Sequence, residues 1–248
     1  MSDHPYSSES KYGEIELTTA LAKTLLAALQ AWLAENLPTS FGDKMSEVFS
    51  LNDAIYNCRA MRRIKTDEVP EEMLLKLIDA ANQAPSGSNT QKARWIVVRD
   101  PAVKQQLADQ NRKYAAPYIA ADVENPASPK QKRLLDAVVW QMKHLHEIPA
   151  LIVACFDYPQ KVEGLGIYRS AGSVWPGIQN ILLSARSQGL GAAPTTLALR
   201  DQDTVRQILK LPETFAALCL IPVGYPMGKF GPVVRKARSD IMRFDSWD

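Results

Sequence analysis

The sequence predicts an α+β or α/β body, and three observations point there. Helical patterns outnumber strand patterns. The strand signals are few, short and separated: Arg94–Arg99, Ala150–Phe156 and Ala217–Gly224, each an apolar run. A clear βαβ rhythm is missing, and no GxGxxG follows a strand, which disfavours a doubly wound nucleotide fold. Gly164-Leu165-Gly166 lacks the third glycine and reads as a loop.

Taken in order, the polar start 1–16 reads as disordered, with no basic-then-apolar signal pattern. Leu17–Leu37 carries Leu21, Leu25, Ala28, Leu29, Trp32 and Leu33 on one face, interrupted by Lys23, Gln30 and Glu35. That is an amphipathic helix and not a membrane span. Thr39–Asp43 is a linker, so the division expected is a leader over 1–48 and a main domain over 49–248. Ser50–Cys58 reads as a helix started by Ser50 or Asn52. Pro70–Ala84 is a stronger one, with Pro70 in its first turn and Met73, Leu74, Leu77, Ile78 and Ala81 at helical spacing. Asp100-Pro101 and Ser128-Pro129 are each a capping residue followed by a proline suited to the first helical position. The second starts a helix to about Glu147. Ser173–Gln188 is helical, with Ile178, Ile181, Leu182 and Ala185 on one face and Gly189 suited to its end. Asp201–Leu211 is the last helix, and the chain after Tyr225 reads as irregular or extended.

Composition narrows the function classes. The 46% hydrophobic content in 248 residues is ample for a core. A net charge of +2, from 29 Lys+Arg against 27 Asp+Glu, leaves no nucleic-acid or anionic-membrane footprint. Cys58, Cys155 and Cys219 are widely spaced, with no zinc pattern, and fit a reduced, cytoplasmic compartment. His144 and His146, two apart late in a helix, do not share a face, so no metal is expected.

Four blocks could carry chemistry. Arg59-Ala60-Met61-Arg62-Arg63-Ile64-Lys65 packs four basic residues into seven: an anion clamp, or a solvated connector. Ala84-Pro85-Ser86-Gly87-Ser88-Asn89-Thr90-Gln91 combines a fixed φ, a free φ and short polar side chains: a turn, or a loop meeting a polar ligand. Gly189-Leu190-Gly191-Ala192-Ala193-Pro194-Thr195-Thr196 ends a helix in small residues, either as a plain cap or where a flat ring could approach the backbone. Gly224-Tyr225-Pro226-Met227-Gly228 leaves a strand and leads to Arg235, Lys236 and Arg238, a second cation cluster or a basic tail.

The order of these blocks resembles the FMN-dependent nitroreductase family, from about Leu51 to Arg238. Arg59-Ala60-Met61-Arg62 looks like that family's R-S-x-R phosphate motif, with Ala60 in place of the serine. Residues 84–91 look like its APSGxNxQ loop, although Lys92-Ala93-Arg94 separates Gln91 from Trp95. Gln179-Asn180 to Gly191 looks like its central helix, and Gly224-Tyr225-Pro226 with Arg235 like its C-terminal motif. The resemblance implies an α+β fold with a central mixed sheet flanked by helices, as an intertwined homodimer. It implies FMN at each subunit interface. Arg59, Ala60, Met61, Arg62 and Arg235 would hold the phosphate and ribityl end. Pro85, Ser86, Gly87 and Asn89 would reach the partner's flavin. Pro194, Thr195 and Thr196 would line the ring and offer it N–H groups.

The implied activity is ping-pong reduction of nitroaromatics or quinones, with NADH or NADPH as donor. Flavin carries that chemistry itself, which agrees with the lack of a catalytic triad. Other reactions of the same fold (dehalogenation, flavin breakdown, dehydrogenation) stay open, as does flavin binding without turnover. A helical interaction protein is a third alternative. Arg112–Lys132 is polar and carries Pro117, Pro126 and Pro129; it reads as a lid over an open cleft or as a surface insertion.

Overall fold

The computed structural model describes residues 49–158 and 171–247, with a helical pair at 27–28. Apart from that pair, the expected leader helix Leu17–Leu37 lies outside the described residues. So do the polar start 1–16, the linker Thr39–Asp43 and the loop at Gly164-Leu165-Gly166. The body that follows is the unit Phe49–Asp248.

Six helices are described in it: α1 Leu51–Asn57, α2 Glu71–Asn82, α3 Pro101–Glu124, α4 Pro129–His144, α5 Trp175–Ser187 and α6 Gln202–Leu209. Four strands, β1 Ala93–Val98, β2 Ala150–Asp157, β3 Gly191–Ala192 and β4 Phe215–Gly224, form one sheet in the order β1-β2-β4-β3. β1 pairs β2 from Ala93↔Phe156 to Val98↔Leu151. β2 pairs β4 from Ala150↔Val223 to Asp157↔Phe215, with a bulge after Ala154. All of these ladders are antiparallel, as is the β3–β4 pairing. The mixed sheet that was expected is therefore corrected: among the described residues no parallel pair occurs.

Strand β2 organises the layers. Ala150 through Phe156 are buried, so both faces of this central strand are covered. Ile152, Ala154 and Phe156 join a core with Leu74, Leu77 and Ala81 of α2 and Ile178, Ile181 and Ala185 of α5. Leu151, Val153 and Cys155, on the opposite face by strand alternation, join Leu107 and Ala108 of α3 and Val205 of α6. Two side-chain layers thus sandwich one sheet.

The helix boundaries follow from their caps. Ser50 Oγ accepts the Asp53 N–H, Asp100 the Val103 N–H, Ser128 the Gln131 N–H and Asp201 the Thr204 N–H. Pro101 and Pro129 take first-turn positions where no amide is needed. At the end of α5, Gly189 adopts φ +75°. Its N–H donates to Arg186 O at 3.2 Å, while the Leu190 N–H reaches back to Ala185 O at 2.8 Å. Those paired bonds satisfy carbonyls that the last turn would leave open.

Gly177 lets α5 approach β1 and α2 closely. A Cβ there would stand 2.8 Å from the Trp95 ring and 3.0 Å from Ala81 O. Asn180 Nδ2 donates across the same seam to Ala80 O at 3.0 Å.

The segment Arg112–Lys132, expected as a lid or a surface insertion, is largely helical: α3 continues through Pro117 to Glu124, and α4 begins at Pro129. Pro117 is exposed, so its ring sits outside the packed face and the helix continues without that one amide bond. Late in α4, His144 Nδ1 lies 3.0 Å from Glu147 and stacks on Trp140 at 4.5 Å.

Gly189 yields a direct test. Gly189→Ala forces a left-handed alanine and is expected to cost about 1 kcal/mol. Urea denaturation of the two proteins, compared at equal slope, measures it.

Candidate functional site

The connector after α1 is tied along one end of the sheet. The Met61 N–H donates to Ala192 O at 3.0 Å, the Lys65 N–H to Tyr225 O at 2.8 Å, and the Met227 N–H to Arg63 O at 3.0 Å. Ile64 also forms an antiparallel bridge with Pro226. Three of the four sequence blocks therefore converge: the arginine connector, the exit from α5 and the Gly224-Tyr225-Pro226 turn.

Small residues make that approach possible. A Cβ on Gly191 would stand 2.8 Å from Met61 Cβ and 3.1 Å from Pro226 Cβ. One on Gly224 would stand 2.5 Å from Ile64 Cγ2. Met61 and Ile64 point into the core, leaving the arginines on the outer side. Arg59 and Ala60 are exposed, whereas Arg62 is half-buried.

Arg62 is the electrostatic anomaly of the site. Burial pulls its pKa below the ordinary arginine value, with no carboxylate among the causes. Among the described residues nothing accepts a hydrogen bond from its guanidinium. A desolvated cation without a counter-charge is costly unless something anionic completes it. A phosphate fits that need, because a guanidinium fork matches its oxygens.

The loop at 84–91 is elsewhere. The Gly87 N–H donates to Ser173 Oγ at 3.1 Å, just before α5, and the Asp157 N–H holds Lys92 O at 2.9 Å. The connector lies past the far end of α5, whose 13 residues span about 20 Å. Within one chain, Pro85, Ser86, Gly87 and Asn89 are therefore not brought to Arg59 and Arg62. The loop is also tense: Ser88, Asn89 and Gln91 have φ of 50°, 52° and 49°, left-handed values that cost a side-chain-bearing residue. Ser86 Oγ accepts the Gln91 N–H at 3.1 Å and helps hold the shape.

Between these ends, the chain from Ala192 to Thr196 runs beside β4. Thr195 exchanges both backbone bonds with Leu220, each at 2.8 Å. This corrects the reading of the N–H donors: Pro194 has none, and that of Thr195 is spent. The Thr196 N–H has no partner among the described residues and is the one available.

Thr196 also lines a cavity of about 470 Å³. Its walls include Trp175, Leu197, Leu199, Arg200 and Leu218. Gln202 closes one side: its Nε2 donates to Leu199 O at 2.7 Å and Ala217 O at 2.8 Å, and its Oε1 accepts the Ala217 N–H at 3.1 Å. Next to Arg200, the carboxylate of Asp201 is held below its ordinary pKa by the Thr204 N–H and hydroxyl, aided by Lys113 and Tyr114. Sequence reasoning missed Trp175, Arg200 and Gln202. They come from separate elements, and no spacing links them.

Arg235 lies on the exposed C-terminal arm, with its Nη1 donating to Val234 O at 3.1 Å. No hydrogen bond or ion pair among the described residues joins it to the connector. The arm leaves the body at Phe230, where the guanidinium of Arg186 is sandwiched between Phe49 at 4.4 Å and Phe230 at 4.1 Å. Burial pushes the Cys155 and Cys219 thiols up to about 12 each, so both are inert packing groups.

Residues 55–225 match the family model described as "Nitroreductase family". The chain belongs to the nitroreductase family. The match covers the connector, the loop and Thr196, but not Arg235. Among relatives, an iodotyrosine deiodinase of Thermotoga neapolitana is 29% identical, over 71% of this chain and 88% of that protein. An NADH dehydrogenase of Thermus thermophilus is also 29% identical, over 72% of this chain and 88% of that protein. Among solved structures, oxidized iodotyrosine deiodinase bound to FMN and 3-iodo-L-tyrosine gives a TM-score of 0.63 at 26% identity. That likeness covers 80% of this chain and 100% of that one. As a nitroreductase-family α+β protein, the chain carries the family's oxidoreductase scaffold. Among the described residues no cluster of His, Cys, Asp or Glu could hold a metal ion, and no helix is long and apolar enough to cross a membrane.

The desolvation of Arg62 separates a ligand role from a structural one. Arg62→Met should raise the melting temperature of flavin-free protein, because it removes a half-buried charge that has no partner among the described residues. The same change should weaken FMN binding roughly ten-fold. Thermal melts and equilibrium flavin titration read the two effects apart.

Proposed function

We propose that this chain is an FMN-dependent NAD(P)H oxidoreductase that reduces electron-poor acceptors such as nitroaromatics or quinones. The observation that carries the reading is Arg62, a half-buried guanidinium without a counter-charge among the described residues, on a backbone pinned to the sheet end. FMN bound there would supply two-electron transfer from the nicotinamide to the acceptor in a ping-pong cycle. Arg59 and Arg62 would bind its phosphate, with Arg235 joining them if the arm folds back. Thr196 would donate its N–H, which has no partner among the described residues, toward the ring. Met61 and Ile64 fix the connector so that the arginine forks stay aimed outward. The apolar walls beside Thr196 would keep water from the reacting edge.

We further infer a homodimer with shared sites. The loop and the connector stand at opposite ends of α5, so a site needing both draws them from different subunits. Pro85, Ser86, Gly87 and Asn89 would then serve the partner's flavin. The arm supports this, since Val234 is 78% exposed and Phe244 82%. With Ile241, Met242 and Trp247 also exposed, the arm concentrates apolar side chains of the kind an interface would cover. Three free cysteines suit a cytoplasmic location. Residues 1–48 would form a leader ahead of the FMN-binding domain over 49–248.

The purified protein should be yellow, and NADH or NADPH should bleach it under anaerobic conditions. A nitroaromatic or quinone should then restore the colour. Restoration by a halogenated phenol alone would move the reading to dehalogenation, the reaction named for the deiodinase relatives. A flavin that neither nicotinamide bleaches would leave a binding protein without turnover.

Shared sites can be tested by complementation. Arg62→Met and Gly87→Asp chains, each poor in flavin alone, should regain flavin in about half the sites when co-expressed as heterodimers. In that pairing one site collects both defects and the other none. No recovery would mean that each site is built within one chain.

A further inference from the structure

We propose that the cavity beside Thr196 seats the acceptor, and that Arg200 and Trp175 make it prefer flat aromatic acceptors bearing a carboxylate. This rests on the oxidoreductase reading above and names the substrate class for that site.

The first argument is position. The candidate groups lie in sequence along β4 and the turn that follows it. The connector bridges at Pro226, Ala192 pairs Val223, Thr195 bridges Leu220, and the cavity meets the strand at Leu218, Ala217 and Ala216. A cofactor anchored by its phosphate at the arginines and aligned by Thr196 would have this space next to its far end.

The second argument is the chemistry of the walls. Most are aliphatic, and the polar atoms of Ala217 and Gln202 are already spent on one another. That surface suits a flat apolar body and offers a neutral polar group little. Trp175 supplies an indole that is 43% exposed, and no aromatic ring among the described residues stacks on it. A second ring could take that face.

The third argument is charge. Arg200 is the charged residue among the lining groups. Among the described residues it meets no carboxylate within ion-pair distance. Its neighbour Asp201 is engaged by Thr204, with Lys113 at 3.8 Å and the Tyr114 hydroxyl at 3.5 Å. The Arg200 guanidinium instead rests over the Tyr114 ring, 5.6 Å from its centre. Tyr114 thereby orients a cation that meets no carboxylate among the described residues. An aromatic carboxylate would meet Trp175 with its ring and Arg200 with its charge.

The test compares 4-nitrobenzoate with 4-nitrobenzamide, which share shape and differ in charge, by calorimetric titration of the purified holoprotein. The carboxylate should bind about five-fold tighter, as expected for a solvent-accessible ion pair. Arg200→Met should abolish that preference, and Arg200→Lys should keep most of it. Trp175→Ala should weaken both ligands and leave the preference in place. Equal binding of the two by the unaltered protein would overturn the proposal. So would a preference that survives in Arg200→Met, or binding of neither compound. The measurement involves no turnover, so a flavin that resists both nicotinamides would defeat the activity reading and leave this result standing.

Discussion

Gly191 and Gly224 face Met61 and Ile64 across a gap that no side chain could enter, and the site follows from that contact. Because the backbones approach so closely, the connector can bond to Ala192 and Tyr225 like an added strand. Its core-facing residues then pack below, and its arginines remain above. Burial of Met61 and Ile64 provides the driving force; the backbone bonds set the register. A methyl group at either glycine would push the connector off the sheet and release the arginines from any fixed geometry.

The sheet supplies the rigid base for this contact. β2 is covered on both faces, and β4 is held to it along most of its length. The connector, Thr195 and the cavity all draw on β4. Three chemically different features are therefore spaced by the same strand, about 3.3 Å per residue. Preorganisation of this kind suits a cofactor-dependent site, where the protein contributes position and electrostatics.

The sequence made some of this legible and hid the rest, for identifiable reasons. Helix starts at Ser50, Asp100, Ser128 and Asp201 were readable, because capping is local chemistry. So was the end at Gly189, where only glycine takes φ +75° without cost. β3 was not, since two residues carry no pattern and owe their conformation to β4. The helical course of 112–132 was hidden because its prolines give no helix signal, while Pro117 tolerates a helix when its ring faces outward. Arg59, Arg62 and the loop could be nominated from block order, but their separation along α5 could not. The reading of Thr195 as a donor failed on bookkeeping that only tertiary pairing reveals: Leu220 had already taken its amide.

Gln202 has a consequence for how this protein behaves in a crowded solution. β3 is two residues long, so most of the outer edge of β4 has no full strand beside it. At Ala217 the Gln202 side chain takes both the amide and the carbonyl, as a neighbouring backbone would. Thr195 does the same at Leu220. The edge is thereby plugged at two points by single residues. A foreign chain seeking to extend the sheet finds its ladder positions occupied, which guards against edge-to-edge aggregation while leaving the space between the plugs free for a ligand.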